Sequence, residues 1–559
     1  MKSMMIDNVR CEFDSERNVL EVARANGIDI PNLCYCESLS IYGGCRLCMV
    51  ENERGGMEAA CSMLPREGLK IKTFTRQLTE HRRVLLEMLL AHHKAECSIC
   101  EKSDTCRLRE YSLRCGVDDL SFRRHYDGRP MDTSSPSVIR DPAKCILCGQ
   151  CVRMCDEVQN IHAVDFAERG AEAYISCGFG DNLTDTDCVG CGQCAAVCPT
   201  AAITIKSDIP RLREALFDEN KKVAVQVAPA VRAGMAELFG LPADKPVMGK
   251  IVTALKRLGA DYVFDTSLTA DLTIMEESAE LMRKLQSGAK LPMFSSCCPG
   301  WIKHVENRHE HLMPQVSTCG SPMEMFGALI RRKFAGVELC SAAIMPCTAK
   351  KAEAARPELV KDCSRPIDVV LTTQELARMI KEAGINFASL PDSEPDAPFA
   401  PYTGAGVIFG VTGGVTEAVI RHVLGAVTDE EIATIAECGV RGLDGIKAFS
   451  ITAGDLTLRI AVANGLKNAD MLIDKIESGE ESFHFVEVMA CPDGCIGGGG
   501  QPPACQSRKA ERERAIFKAD SECSLRSSEQ NPALDEIYHL LCGREHELLH
   551  VHYPAHGHH

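Results

Sequence analysis

The sequence predicts an α/β domain in its second, larger part, preceded by a row of small cysteine-rich α+β modules. Three observations carry this reading. Cysteines crowd between Cys34 and Cys198, thin out, and return in three short motifs. After about residue 210 the chain alternates apolar strand-like runs with helix-like ones, the pattern of a sheet covered by helices. The chain's 559 residues exceed what one hydrophobic core organises, so several domains are expected. The boundaries drawn are 1–78, 79–125, 126–209 and 210–559.

Composition narrows the function classes. Apolar residues make up 45% and charged residues 25%, ordinary values for a globular protein. A net charge of -16 argues against a nucleic-acid or membrane-surface binder, which would carry a basic face. No apolar run has the length of a membrane span. The start, MKSMMIDNVRCEFDSERNVL, places acids where a secretory leader would be apolar. A cytoplasmic location is therefore expected. There, 31 cysteines point to metal or redox chemistry rather than disulfides.

Along the chain, the first group is Cys34, Cys45, Cys48 and Cys61, separated by ten, two and twelve residues. Glycines in IYGGCRLCMVE let the backbone wrap close to sulfur. Four thiolates in a small early module suit a 2Fe–2S cluster. The plant-type rhythm has four residues between the first two cysteines, so this is a variant of it, and zinc is the competing occupant. Cys36 reads as a spare thiol. The second group, His93, Cys97, Cys100 and Cys106, lies in HHKAECSICEKSDTC. An imidazole in place of a thiolate removes a negative charge and raises a cluster's potential; His92 competes with His93 for the role.

The third group is an internal repeat. Cys145, Cys148, Cys151 and Cys155 have the same spacing as Cys188, Cys191, Cys194 and Cys198. In the bacterial ferredoxin rhythm the fourth cysteine of each run serves the other cluster. The expected sets are Cys145, Cys148, Cys151 and Cys198 for one 4Fe–4S cluster, and Cys155, Cys188, Cys191 and Cys194 for the next.

In the second part, strands are expected at Val223–Val227, Tyr262–Phe264, Ala342–Ile344, Val369–Leu371, Val407–Val411 and Phe483–Val488. Helices are expected at Glu276–Gln286 and Gln374–Ala383. The tail from Tyr538 to Tyr553 reads as helical and His-rich; the terminal His558 and His559 are too few for a metal site. Three motifs follow strand-like runs: FSSCCPGW at 294–301, MPCTAKKAE at 345–353 and VEVMACPDGCIGGGGQP at 486–502. Reactive residues collect at such strand ends in α/β domains. Adjacent thiols diverge, so one of Cys297 and Cys298 ligates while the other is free. With Cys347, Cys491 and Cys495 that makes four thiolates, and the glycine run after Cys495 admits close approach of backbone to a bulky inorganic group.

In their order, and almost letter for letter, these motifs resemble the signature of the FeFe (iron-only) hydrogenases. The upstream modules resemble the accessory iron–sulfur domains of the long clostridial-type members. The resemblance runs from Cys34 to the LLHVHYP tail. It implies a β-grasp, plant-type ferredoxin-like domain, a His-ligated cluster module and a bacterial two-cluster ferredoxin-like domain ahead of the catalytic α/β domain. It implies one 2Fe–2S cluster, three accessory 4Fe–4S clusters, and an active-site 4Fe–4S cluster joined to a two-iron unit with carbon monoxide, cyanide and a bridging dithiolate. Cys298, Cys347, Cys491 and Cys495 would hold that cubane, with Cys495 the link to the two-iron unit. Lys350 would donate to a cyanide, and Met345 and Met489 would pack against the two-iron unit. Cys297, Glu277, Ser317 and Glu280 would relay protons, Glu277 and Glu280 sharing a helix face, and Glu353 would orient the region. The implied partners are a ferredoxin-like electron carrier, protons and hydrogen, and maturation proteins. A hydrogen-sensing or electron-transfer protein of the same family is the alternative.

Four positions depart from the family's habit: Met323 in place of glutamine, Ala349 in place of serine, Ala230 where some members have serine, and Lys284 in place of the arginine that ends the proton path. They put rate and bias in doubt and remove no ligand. Eleven cysteines stay unassigned, at positions 11, 36, 115, 177, 319, 340, 363, 438, 505, 523 and 542. They read as buried or surface thiols, and a spare thiol close to the active-site cluster, such as Cys319, would suit a protective or redox role.

Overall fold

The computed structural model describes residues 2–117, 121–125, 128–178, 182–362, 364–453 and 456–553; Cys363, His558 and His559 lie outside them. The chain forms two compact units. One comprises Met1–Glu157, His162–Thr186 and Val197–Thr204, the other Val158–Ile161, Asp187–Ala196 and Ile205–His559.

The first unit opens with a five-stranded sheet. Strands β1 (Lys2–Ile6) and β2 (Val9–Phe13) form a hairpin, turned by Asp7 and Asn8, both at positive φ. With β3 (Met49–Asn52), β4 (Met57–Ala59) and β5 (Lys70–Lys72) the order is β2-β1-β5-β3-β4. Inward residues Met4, Ile6, Phe13, Val50 and Ile71 pack with Val19, Leu20 and Val22 of the helix Val19–Ala25. The helix Arg76–His92 follows, capped by Thr75, and ends at His93. Two short ribbons complete the unit: β6 (Val138–Arg140) with β9 (Ile203–Ile205), and β7 (Asp165–Ala167) with β8 (Tyr174–Ser176).

The second unit is α/β with two four-stranded sheets. In the first, β10 (Lys222–Val227), β11 (Tyr262–Asp265), β13 (Leu339–Met345) and β14 (Val369–Thr372) run parallel in the order β11-β10-β13-β14. In the second, β12 (Met293–Phe294), β15 (Ile446–Ala453), β16 (Leu456–Asn464) and β17 (Phe485–Met489) take the order β12-β17-β16-β15, with only the β15–β16 pair antiparallel. Strand β13 is buried at every residue, as expected of a parallel strand covered on both faces. The expected helices lie within Ser267–Ser287 and at Thr373–Glu382, the latter started by a Thr372–Glu375 capping box.

One expected strand is absent. Val407–Val411 lies across the end of the helix Gly404–Val407 and a 3-10 turn at Ile408–Gly410. The apolar run is buried, but its small residues set the conformation. A side chain at Gly406 would come 2.2 Å from the Ser267 carbonyl, so Gly406 lets this helix lie directly on Ser267–Ser287. No helix among the described residues is long and apolar enough to cross a membrane.

Candidate active site

The second unit brings the three motifs together at strand ends. Cys297 and Cys298 follow β12, Cys347 follows β13, and Cys491 follows β17, with Cys495 one turn further on in a 3-10 segment. Parallel β12 and β17 carry their carboxyl ends to one edge of the second sheet, and Cys347, at the end of β13 in the first sheet, comes near enough to feel Cys298, Cys491 and Cys495. Cys298 occupies the N-cap position of Pro299–Arg308, and its Sγ accepts the Ala490 amide at 3.3 Å. Burial pushes all four thiols up. For Cys347 and Cys495 the neighbouring cysteines of the set add to this, and Cys491 rises to about 11. Four thiols that repel one another's ionisation are a poor set of free thiolates. They are a suitable set of ligands, because bound iron offsets the charge. The donor set therefore fits a cubane.

The glycine run also permits close contacts within the protein. A side chain at Gly498 would meet the Pro346 carbonyl at 2.3 Å, one at Gly499 the Cys191 carbonyl at 2.3 Å, and one at Gly500 the Thr372 Cγ2 at 2.8 Å. The glycines thus let the third motif lie against the backbone of the second motif and of the Cys191 loop. Gln193 Nε2 donates to Gly497 O at 2.8 Å across the same contact. Cys191 is buried and feels the charge of Cys491, so ligands of two expected clusters come close within this unit.

Lys350 is buried, with Nζ 2.7 Å from Glu353 Oε2 and 3.2 Å from Cys297 O. Burial works against the ammonium, but Glu353 outweighs it and keeps Lys350 charged. Met345 and Met489, the last residues of β13 and β17, are both buried.

The relay residues also come together. Glu277 and Glu280 lie one turn apart on the buried face of Ser267–Ser287. Burial, then the charge of Glu280, pushes the Glu277 carboxyl up to about 8, and among the described residues neither of its oxygens has a hydrogen bond of ordinary geometry. Burial, then Glu277, raises the Cys297 thiol, with Cys298 and Cys495 adding to it. Cys297 therefore neighbours both the expected cluster and the first carboxyl. Ser317 Oγ donates to Glu280 Oε2 at 3.0 Å. Lys284 Nζ pairs with Glu280 Oε1 at 3.2 Å and, against the cost of burial, holds that carboxyl low.

In the first unit, backbone-to-sulfur hydrogen bonds link the Cys34 and Cys45 positions, Leu33 N to Cys45 Sγ at 3.4 Å and Cys45 N to Cys34 Sγ at 3.5 Å. Cys48 and Cys61 are near enough to perturb them. His93 is buried, and its Nδ1 is 2.9 Å from the Lys144 carbonyl, which leaves Nε2 for a metal. Exposed His92 instead turns its Nδ1 to Met88 O, one turn back in its own helix. Cys97 and Cys100 perturb Cys106, which places the three thiols together. Cys145, Cys148, Cys151 and Cys198 all line one cavity of about 570 Å³. Cys155 Sγ accepts the Ala163 amide at 3.3 Å in this unit; Cys188 and Cys194 belong, with Cys191, to the second unit.

Some polar groups of the site carried no sequence signal. Glu324 is buried in the helix Pro322–Lys333, with no hydrogen-bond partner among the described residues. Burial and the nearby Glu353 charge push it far up. Glu487 accepts the amides of Gly413 and Thr416 at 2.7 and 2.8 Å, beside Cys297 and Cys495. Only the fold brings these residues to the motifs.

Comparison with known proteins matches each segment. Residues 221–499 match the iron only hydrogenase large subunit, C-terminal domain, and 506–556 the iron hydrogenase small subunit. Residues 3–76 match a 2Fe-2S iron-sulfur cluster binding domain, 82–120 the NADH-ubiquinone oxidoreductase-G iron-sulfur binding region, and 144–210 a 4Fe-4S dicluster domain. The NADP-reducing hydrogenase subunit HndD of Solidesulfovibrio fructosivorans is 40% identical over 99% of both chains. Iron hydrogenase 1 of Clostridium pasteurianum is 37% identical over 99% of this chain and all of its own. A solved variant of the FeFe hydrogenase HydA1 from Chlamydomonas reinhardtii superposes with a TM-score of 0.54 at 38% identity, covering 63% of this chain and 99% of that one.

Proposed function

The chain belongs to the iron-only (FeFe) hydrogenases, and on that premise we propose how its residues share out the reversible reduction of protons to molecular hydrogen. Cys298, Cys347, Cys491 and Cys495 hold the active-site cubane, with Cys495 also facing the two-iron unit. That unit, when bound, supplies the place where protons and electrons combine. Lys350, kept charged by Glu353, donates to a cyanide, and Met345 and Met489 close the apolar wall that keeps water out.

Protons pass by way of Cys297, Glu277, Ser317 and Glu280. The observation that carries this is the position of Cys297. Its thiol stays protonated because it is buried, with the charges of Glu277, Cys298 and Cys495 adding to that. Glu277, a carboxyl poised near neutrality, accepts and returns a proton at little cost.

One 2Fe–2S and three 4Fe–4S clusters, when bound, would supply the path by which electrons enter. Cys34, Cys45, Cys48 and Cys61 hold the first, in a β-grasp ferredoxin-like domain at 1–78. His93, Cys97, Cys100 and Cys106 hold the second, in a module at 79–125. The two sets shared between Cys145–Cys155 and Cys188–Cys198 hold the others, in a two-cluster domain at 126–209. The catalytic domain spans 210–559. The donor is a ferredoxin-like protein in the cytoplasm, and dedicated maturation proteins load the two-iron unit. The name of the HndD relative raises NADP-linked electron supply as a second reading.

The test is hydrogen evolution by anaerobically matured protein from reduced methyl viologen, reduced ferredoxin and NADPH, with Cys297→Ala beside the parent. Strong activity with viologen, near loss in the variant and unchanged iron content fit the proposed roles. A variant that evolves hydrogen at the parent rate would rule out the relay. Activity with NADPH but not ferredoxin would select the second reading of the donor.

A further inference from the structure

A donor set stands beside Glu280, the last carboxylate of the proposed relay, on the oxygen that also accepts from Ser317. Residues Thr318–Gly320 run antiparallel to Leu549–Val551. Gly320 N–H donates to Leu549 O and Val551 N–H to Thr318 O, both at 2.7 Å, with Cys319 and His550 directly opposed. This is the non-hydrogen-bonded kind of antiparallel pair, in which opposed side chains share a face and lie closest. The helix Ser267–Ser287 brings Glu280 to them. A carboxylate oxygen of Glu280, Cys319 Sγ and a His550 ring nitrogen lie within 4.8 Å of one another, and all three residues are buried.

The surroundings are those of a ligand set. His550 Nε2 is 3.3 Å from Glu276 Oε2, and Tyr538 holds Glu276 at 2.7 Å. An ionised carboxylate only accepts, so Nε2 is the donor to Glu276, and Nδ1, 2.8 Å from Thr318 Oγ1, is the nitrogen the neutral ring would offer to a metal. A carboxylate behind the outer nitrogen of a histidine is the usual way proteins orient an imidazole towards a metal. Cys319 Sγ to Glu280 Oε2 measures 3.9 Å. A tetrahedral ion with metal–oxygen and metal–sulfur bonds of about 2.0 and 2.3 Å separates those two atoms by about 3.5 Å, so this pair is nearly at ligand spacing.

We propose that Glu280, Cys319 and His550 bind one zinc-like divalent cation. Mixed sulfur, nitrogen and oxygen donors select such an ion over calcium or magnesium. Binding releases the Cys319 thiol proton to solvent, and the carboxylate and thiolate then neutralise the dication. Because the same Glu280 ends the relay, and resting on that reading, the bound ion inhibits hydrogen turnover.

The test is anaerobic addition of Zn2+ to the matured holoenzyme, followed by zinc K-edge absorption and hydrogen evolution, with Cys319→Ala and His550→Gln alongside. Iron does not interfere at that edge. Expected are one bound zinc with a single sulfur among nitrogen and oxygen neighbours, affinity at least tenfold weaker in each variant, and inhibition that tracks occupancy and reverses with chelator. Equal zinc uptake and inhibition in the parent and both variants would overturn the site. Zinc bound through Cys319 without any inhibition would leave the site standing and overturn the role of Glu280 in the relay.

Discussion

Ser317 and Glu280 are joined by a hydrogen bond of 3.0 Å from the hydroxyl to the carboxylate, and the Thr318 amide reaches the same carboxylate oxygen at 3.0 Å. The backbone donor holds Glu280 in place whether or not the serine hydroxyl is present. Ser317→Ala thus removes the proton link and spares the carboxylate's position. Positioned proton donors and acceptors contribute about 10²–10⁴-fold to rate. Hydrogen evolution by Ser317→Ala is expected to fall roughly 10²-fold, with cluster reduction by dithionite, followed by EPR, unchanged. An unchanged rate would remove Ser317 from the path.

Glu277 makes stability depend on pH in a direction unusual for a carboxylate. In the unfolded chain it loses its proton near 4.5, whereas the folded protein keeps it to about 8. Across that window the folded state binds more protons, so stability falls as pH rises and levels off above about 8. Glu277→Gln removes this contribution. The difference in unfolding free energy between parent and variant is expected to slope by up to about 1.4 kcal/mol per pH unit through the window, the parent losing ground at the alkaline end. Chemical denaturation of matched preparations from pH 5 to 9 measures it, and parallel curves would contradict the buried neutral carboxyl.

Lys350 and Glu353 form an ion pair inside the domain, with Glu324 as a second acid close by. Removing one partner of such a pair strands the other in a low-dielectric interior, at about 3–5 kcal/mol. Lys350→Met is expected to lower stability by that order and to raise the fraction of protein lacking a complete active site. Lys350→Met with Glu353→Gln is expected to recover most of the stability and none of the activity. Urea melts together with iron analysis separate the two effects.

Much of this molecule was legible in its sequence, for a local reason. Cysteine spacing marks the cluster modules, and parallel strands such as Val223–Val227 and Val369–Leu371 are almost wholly apolar because both their faces are covered. Val407–Val411 is just as apolar yet forms no strand, since its conformation depends on Gly406 meeting the Ser267 carbonyl far upstream. The two-residue strand Met293–Phe294 is too short to show a period. Glu324, Glu487 and His550 were silent because a buried acid and a tail histidine gain meaning only from the distant partners that the fold supplies.

His93 offers the sharpest test of the accessory clusters, because geometry separates it from its neighbour. Its ring is buried and fixed by the Lys144 carbonyl at Nδ1, whereas His92 is exposed and turned back on its own helix. Burial also lowers the proton affinity of His93, which keeps the imidazole neutral and able to ligate. Replacing a neutral ligand by a thiolate adds a negative charge at the cluster and stabilises its oxidised form. His93→Cys is therefore expected to retain a 4Fe–4S cluster and to shift its potential downward, on the order of 100 mV, whereas His92→Ala leaves it in place. Redox titration followed by EPR reads the shift directly. Should His92→Ala abolish the cluster signal while His93→Cys leaves the potential unmoved, the ligand assignment passes to His92, and the Lys144 contact is then only a buried hydrogen bond.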